Sequence, residues 1–474
     1  MLFKYGFNDR ELDHPAGRVL GGSSAINGMA YTPPSPAGID AWAQLGNPRW
    51  NWQSLRPYLR KSHTLNLPQS DSSTGERENY SSHGPIEVVF PALNDEKSFP
   101  LANAWKEAFR AQGYEHSIDA FPENRTIGTR DYMATINPVS GHHSSGDSEY
   151  GRLAAQRANV IIITSATVHR IIFSSSSDTL VATGAEFERY GATMKIQATK
   201  EVILAAGAFN TPKLLELSGI GGADRLDHLG IKPLIDQPAV GENLQNHLTS
   251  MVTVPLKTHP DIDGISPGVK GVAFARLDPE EQTNLFWGGP KPTSPSDWVI
   301  RSLLHSRDEA SAVFLMAVIP GNMVILGVIA SFPFSRGHCH IKSADPNDMS
   351  TIDGQYFSHD LDIEILARHV QTLHHLTKDP ALQEFLQPST ALTDLETIKT
   401  QLREETASSC HHGCGTAAML PQEAGGVVDQ DLKVYGTKNL RIVDASIFPL
   451  ITNANPITTV YAVAERAADI IRSK

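Results

Sequence analysis

The sequence predicts an α/β chain of two interlocked domains, one built on a parallel α/β layer and one on an antiparallel sheet. Three observations point there. At 474 residues the chain is too long for one ordinary hydrophobic core. A strand, a small-residue turn and a helix follow one another between Glu201 and Gly219, the unit from which α/β layers are built. Between Ala312 and Phe334 a long, nearly uncharged run would suit a membrane span, but Pro320-Gly321-Asn322 breaks it. Val313-Phe314-Leu315 and Val324-Ile325-Leu326 therefore read as two buried strands joined by a turn.

The remaining elements follow from local pattern. Gln69 to Asn79 is polar, rich in Ser and Glu, and reads as a surface loop. Ser98 to Ala111 has helical spacing, with Leu101, Trp105 and Phe109 on one face. Asn159 to Thr164 is an apolar run of strand length, and Glu201 to Ala205 is another that leads into Gly207. Thr211-Pro212 opens a helix through Leu214, Leu215 and Leu217 that stops at Gly219, with Pro at a first helical position and Gly past the end. Asp362 to Leu376 reads as a further helix. At the C-terminus Ile457, Val460, Tyr461, Ala464, Ala468 and Ile471 share one helical face, Pro456 suits the first turn, and Asn455 stands where an N-cap belongs. No internal repeat is visible.

Composition narrows the function classes. Hydrophobic residues at 40% and charged residues at 19% fit a soluble globular protein. A net charge of −12 and a pI near 5.9 argue against a nucleic-acid partner, which would want a basic face. Cys339, Cys410 and Cys414 are too few for a disulfide framework and leave the redox compartment open. The start, Met1 to Tyr5, lacks the apolar stretch of a signal peptide. Glycosylation acceptor triplets stand at Asn79-Tyr80-Ser81 and Asn124-Arg125-Thr126, a pattern short enough to arise by chance.

Three blocks carry chemistry. In Gly17-Arg18-Val19-Leu20-Gly21-Gly22-Ser23-Ser24-Ala25-Ile26-Asn27-Gly28, paired glycines let backbone N–H groups approach an anion, and serines add donors. By themselves these residues fit a tight turn at a helix start equally well. Gly207 to Gly221 can place a helix N-terminus near a phosphate, as any strand–turn–helix can. The third block runs from Cys410-His411-His412-Gly413-Cys414-Gly415-Thr416 through Val427-Val428-Asp429 and Val443-Asp444-Ala445-Ser446 to Asn453-Ala454-Asn455-Pro456. Cys410, His411, His412 and Cys414 crowd four ligand-type residues into five positions, a poor match to zinc's separated pairs. His338-Cys339-His340 alternates faces if it is a strand and reads as structural. Gly413-x-Gly415-x-x-Ala418 matches a dinucleotide fingerprint formally, without the flanking strand and helix that would support it.

In order and spacing these blocks resemble the glucose–methanol–choline (GMC) family of flavin oxidoreductases from residue 17 to residue 471. Leu20-Gly21-Gly22-Ser23-Ser24 through Asn27-Gly28 is similar to the family's first signature. Gly207 to Gly221, with its Ser-Gly-Ile-Gly ending, is similar to the second, and His412-x-x-Gly415-Thr416 onward to its C-terminal region. Trp50-Asn51-Trp52, Gly241-Glu242-Asn243-Leu244 and Ser335-Arg336-Gly337 match between them. The resemblance implies an α/β FAD-binding domain, incomplete at its N-terminus, from residues 1–62, 151–246 and 410–474. It implies an α+β substrate domain with an antiparallel sheet from 63–150 and 247–409.

It further implies FAD as cofactor, a small-molecule substrate, and hydride transfer from an alcohol carbon to the flavin. Leu20, Gly22, Ser23, Asn27 and Gly28 would face the pyrophosphate and flavin. Val168 would touch the adenine end through its backbone. Asp444 and Ala445 would lie beside the pyrophosphate or ribityl chain, and Asn455 with Pro456 near the flavin ring. His412 would be the acid/base, with Asn455 as its catalytic partner and as helix cap at once. A histidine near neutral pKa suits the removal of an alcohol proton, and a second hydrogen-bonding side chain can hold the oxygen. A non-redox cyclase or lyase using His412, or a remnant without FAD, are the alternatives.

The sequence also departs from the family. No strand, Gly-x-Gly-x-x-Gly turn and helix precede Gly17, which reads as a partial gene product whose missing strands would leave apolar surface exposed. Asn246 stands where Asp is common, and His143 where Arg often precedes a Ser-Ser pair.

Overall fold

The computed structural model describes residues 6–8, 10–67, 83–119, 125–174, 179–390 and 392–473. The polar segment Gln69–Asn79 and the acceptors Asn79 and Asn124 lie outside the described residues.

The largest sheet has six strands, every neighbouring pair antiparallel. Their order is Ser408–Ser409, Leu248–Pro255, Met323–Ala330, Ala312–Ile319, Gly268–Ala275, Gly128–Arg130. The apolar run read as two strands is its central hairpin, paired from Ala312↔Ala330 to Ile319↔Met323. Its turn needs two successive left-handed residues, and Gly321 (φ 88°) and Asn322 (φ 59°) are the types that accept this. Alternation puts Phe314, Met316 and Val318, with Val324, Leu326 and Val328, onto one face. Against that face pack Leu101, Trp105 and Phe109 of the helix Phe99–Arg110, and Leu366, Val370 and Leu373 of the helix Asp360–Leu376. Each such side chain, fully buried, contributes about 1.5–3 kcal/mol.

A second core gathers Trp42, Trp50, Leu55 and Leu59 with Leu215, Leu440, Ile442, Phe448, Ala462, Val463 and Ala467. Its centre is a parallel strand pair, Val202–Leu204 with Leu440–Ile442. The run Asn159–Thr164, expected as a strand, is not one. Among the described residues no strand lies beside it to complete its hydrogen bonds, and Ile161 is 86% exposed. Ile162, Ile163 and Ile203 are exposed as well.

Two helices differ from their expected detail. The helix Gly207–Leu217 starts four residues before Thr211, so Pro212 lies inside it. Pro212 cannot donate to the carbonyl of Ala208. The Thr416 hydroxyl donates to that carbonyl instead, which ties the second and third sequence blocks together. The C-terminal helix Ile457–Arg472 buries Tyr461 as expected, together with Thr458, Thr459, Ala462, Val463 and Ala467, while Ala464 and Ala468 face solvent. The apolar stripe is turned about one position because Arg466 lies over Trp50 at 4.1 Å and bonds Ser54, facing the helix Trp52–Ser62.

Buried histidines make the fold acid-labile. Burial holds His63 and His247 at a pKa of about 4 and His369 at about 3, against the weaker opposing pull of backbone carbonyls on the first two. All three are neutral in the folded chain, whereas the unfolded chain protonates them below pH 6.5. Stability present above pH 6.5 is therefore lost as pH falls toward 4 and then 3. Each of these histidines should take up about one proton on unfolding near pH 5, so His369→Gln should take up about one fewer than the wild type. A midpoint that stays flat between pH 6.5 and 4 contradicts this.

Candidate active site

The site forms where the third block crosses the start of the strand Leu248–Pro255. Gln245 and Cys414 exchange backbone hydrogen bonds at 2.9 and 3.0 Å, and the Cys410 N–H donates to the His247 carbonyl at 3.0 Å. This lays residues 410–414 along 245–247. The His412 N–H donates to Asn246 Oδ1 at 2.8 Å, while Asn246 Nδ2 donates to the Tyr356 hydroxyl (2.6 Å) and Ser409 Oγ (2.8 Å). The amide at the family's usual Asp position is thus fully used in fixing the His412 backbone.

The His412 ring is held at both nitrogens. Nδ1 lies 2.9 Å from His247 Nδ1, and Nε2 lies 3.1 Å from Asn455 Nδ2. Asn455 Oδ1 accepts from Thr32 Oγ1 at 3.4 Å. His412 and Asn455, far apart in sequence, therefore meet. The Asn455 side chain does not cap the last helix, whose N-terminus has no side-chain cap at Pro456. Its amide is engaged by His412 and Thr32, so the expected double role reduces to one. His411 takes a left-handed backbone (φ 61°) and is exposed, with its ring 3.5 Å from Ser409 Oγ.

Burial, then the neighbouring His247 and His411, push the His412 pKa well below the ordinary value. Its imidazole is neutral at neutral pH. Cys414 is buried in the core, and among the described residues no group of three or more His, Cys, Asp or Glu is placed to hold a metal ion.

The other expected site residues fall into two groups. Ala445 accepts from the Gly415 N–H at 3.1 Å, next to Asp444, whose carboxylate binds the Gly207 N–H and the Thr211 hydroxyl. Gly22–Ala25 form a 3₁₀ turn entered through Gly21 (φ 81°). Within that segment Ser23 Oγ accepts from the Gly17 N–H, and Asn27 Oδ1 from the Met29 N–H. The Gly28 carbonyl accepts from Tyr132, and Leu20 is exposed. Val168 stands apart, exposed on the three-stranded sheet of Ala166–Ser174, Val181–Arg189 and Ala192–Gln197.

Sequence reasoning missed His247, Asn246 as a support, Thr32 and Thr416. Their roles depend on partners 84 to 423 residues away, which no local spacing reveals. Thr32 also opens onto a pocket lined by Tyr31, Arg130, Tyr132, Met133, Phe274 and Asn453.

Comparison with known proteins agrees with this fold. Residues 6–249 match the N-terminal model, and residues 333–464 the C-terminal model, of the GMC oxidoreductases. The GMC oxidoreductase family protein Mala s 12 of Malassezia sympodialis is 31% identical over 511 residues, covering 98% of this chain and 81% of the relative. An FAD-dependent oxidoreductase from Chaetomium thermophilum superposes with a TM-score of 0.87 at 26% identity, over 99% of this chain and 88% of that one. A fungal aryl-alcohol oxidase gives 0.85 at 26% identity, over 100% and 88%. Fold and matches together define the class, an FAD-dependent oxidoreductase. The chain belongs to the GMC oxidoreductase family.

Around the first and second sequence blocks the backbone leaves room that a bound cofactor would need. A Cβ added at Gly22, Gly28 or Gly207 would meet nothing within 4 Å, so these backbones border open space. Val19, Leu20 and Ile26 expose apolar surface beside two of them. No helix among the described residues is long and apolar enough to cross a membrane.

Proposed function

We propose that this chain oxidises an alcohol group, with His412 as acid/base and Asn455 as the hydrogen-bonding group on the substrate oxygen. The observation that carries this reading is the neutral imidazole of His412 meeting the Asn455 amide 3.1 Å away. An alcohol gives up hydride readily only as its O–H proton leaves. His412 Nε2 takes up that proton, and Asn455 Nδ2 donates to the oxygen as charge develops. FAD, when bound, supplies the hydride acceptor. The pocket behind Thr32 holds the rest of the substrate, and its aromatic lining suits an apolar body. Leu20, Gly22, Ser23, Asn27, Gly28, Val168, Asp444, Ala445 and Pro456 are proposed as the cofactor-binding residues.

The domain division proposed with it places cofactor binding in 1–62, 151–246 and 410–474, and substrate binding in 63–150 and 247–409. The core under the antiparallel sheet supports the second part, while Phe286, Val299, Leu303 and Phe334 of that part pack into the other core.

Two spectra test the proposal. The purified protein should show flavin absorbance bands, and an alcohol substrate should bleach them anaerobically. Bands that no alcohol bleaches would favour a non-redox use of the fold. Protein that is folded but binds no flavin would remove the redox reading altogether.

A further inference from the structure

We infer that His247 is a positioning residue that sets the tautomer of His412, leaving Nε2 as its bare nitrogen. The argument runs from a group whose role is fixed. The Ser331 carbonyl can only accept, and it lies 2.7 Å from His247 Nε2, so that nitrogen carries hydrogen. His247 is fully buried and neutral, so its Nδ1 carries no hydrogen and accepts. His412 Nδ1, 2.9 Å away, must then be the donor. A neutral imidazole that donates from Nδ1 has a bare Nε2.

The far end of the chain of bonds requires the same direction. Asn455 Nδ2 has only hydrogens to offer, and it faces His412 Nε2. Asn455 Oδ1 is engaged by Thr32. The Ser331 carbonyl fixes the arrangement, and the orientation of the Asn455 amide matches it. Ser331 follows the strand Met323–Ala330, and His247 precedes its neighbour Leu248–Pro255. The antiparallel sheet therefore holds the carbonyl that orients the whole series. The perpendicular packing of the two imidazoles (88°, centroids 5.1 Å apart) puts Nδ1 of one ring at Nδ1 of the other. The consequence for catalysis rests on the proposed role of His412, but the tautomer does not.

Selective ¹⁵N labelling of histidine tests it, because bare and hydrogen-bearing ring nitrogens resonate far apart. The His412 signals are assigned by their loss in His412→Gln. Wild-type protein should show hydrogen on His412 Nδ1 and a bare Nε2. His247→Asn offers an amide oxygen where Nδ1 stood and should keep that tautomer. His247→Phe offers no acceptor and should shift hydrogen to Nε2. In flavin-loaded protein His247→Phe should slow reduction about 10–100-fold with little change in KM, and His247→Asn should recover most of it. Hydrogen on Nε2 in the wild type, or a bare Nε2 retained in His247→Phe, overturns the inference. If His247→Phe does not fold, the wild-type and His247→Asn spectra still decide. The expected tautomer together with an unaffected rate in His412→Ala leaves the inference standing and sinks the proposed function instead.

Discussion

His412→Ala should lower the rate of flavin reduction by an alcohol roughly 10²–10⁴-fold, the usual worth of a positioned acid–base group. His411→Ala should leave the rate within a few-fold of wild type. The two side chains are adjacent, yet the fold treats them differently. A left-handed backbone at residue 411 turns that imidazole out to solvent, while Asn246 fixes the His412 backbone and turns its ring inward. Only His412 has both nitrogens engaged, one by His247 and one by Asn455. Its lowered pKa keeps it neutral at pH 7 but makes it a weaker base than the near-neutral histidine expected from the sequence. Stopped-flow reduction under anaerobic conditions is the measurement. Full activity in His412→Ala with loss in His411→Ala would show the register to be off by one. No effect in either would remove the acid–base mechanism.

What could be read in the sequence was what depends on period or on a contiguous motif. The hairpin of the antiparallel sheet was legible because Pro320-Gly321-Asn322 interrupts an apolar run, and the helix Phe99–Arg110 because three large apolar residues recur at helical spacing. The meeting of His412 with Asn455 followed from family order. Elements decided by distant partners were not legible. Asn159–Thr164 has strand composition, but a strand needs a neighbour, and none of the described residues supplies one. Pro212 looked like a helix start until Thr416, from the far end of the chain, took over the carbonyl it leaves free. The C-terminal helix turned its buried face by about one position, and the packing of Arg466 on Trp50 set that rotation. His247 stood in plain view beside Asn246. Its significance lies in a contact with a ring 165 residues away.

Asp444→Ala should destabilise the fold by about 3–5 kcal/mol, the largest stability effect expected outside the cores. The parallel strands Val202–Leu204 and Leu440–Ile442 end side by side, and the Val443 N–H donates to the Leu204 carbonyl at 2.8 Å. This sets Asp444 at the start of the helix Gly207–Leu217, whose own N-cap, Ala206, has no side-chain acceptor. Asp444 Oδ2 accepts from the Gly207 N–H at 2.9 Å and from the Thr211 hydroxyl at 2.6 Å, and Oδ1 from the Ser446 N–H at 2.8 Å. A carboxylate supplied from another segment thus caps the helix, and its charge meets the positive end of the helix dipole. Removing it strands the buried Thr211 hydroxyl and Ser446 N–H where little water reaches them. Asp444→Asn should cost less, because one oxygen still accepts while its amide N–H groups face other donors. Gly207 borders open space, and Thr416 reaches Ala208 one residue on, so loosening this turn also loosens Gly415 and, behind it, His412. Guanidinium unfolding followed by circular dichroism measures the stability. Absorbance of the same samples measures flavin retention, which should fall in parallel. An Asp444→Ala protein within about 1 kcal/mol of wild type would mean that the carboxylate does not hold this helix.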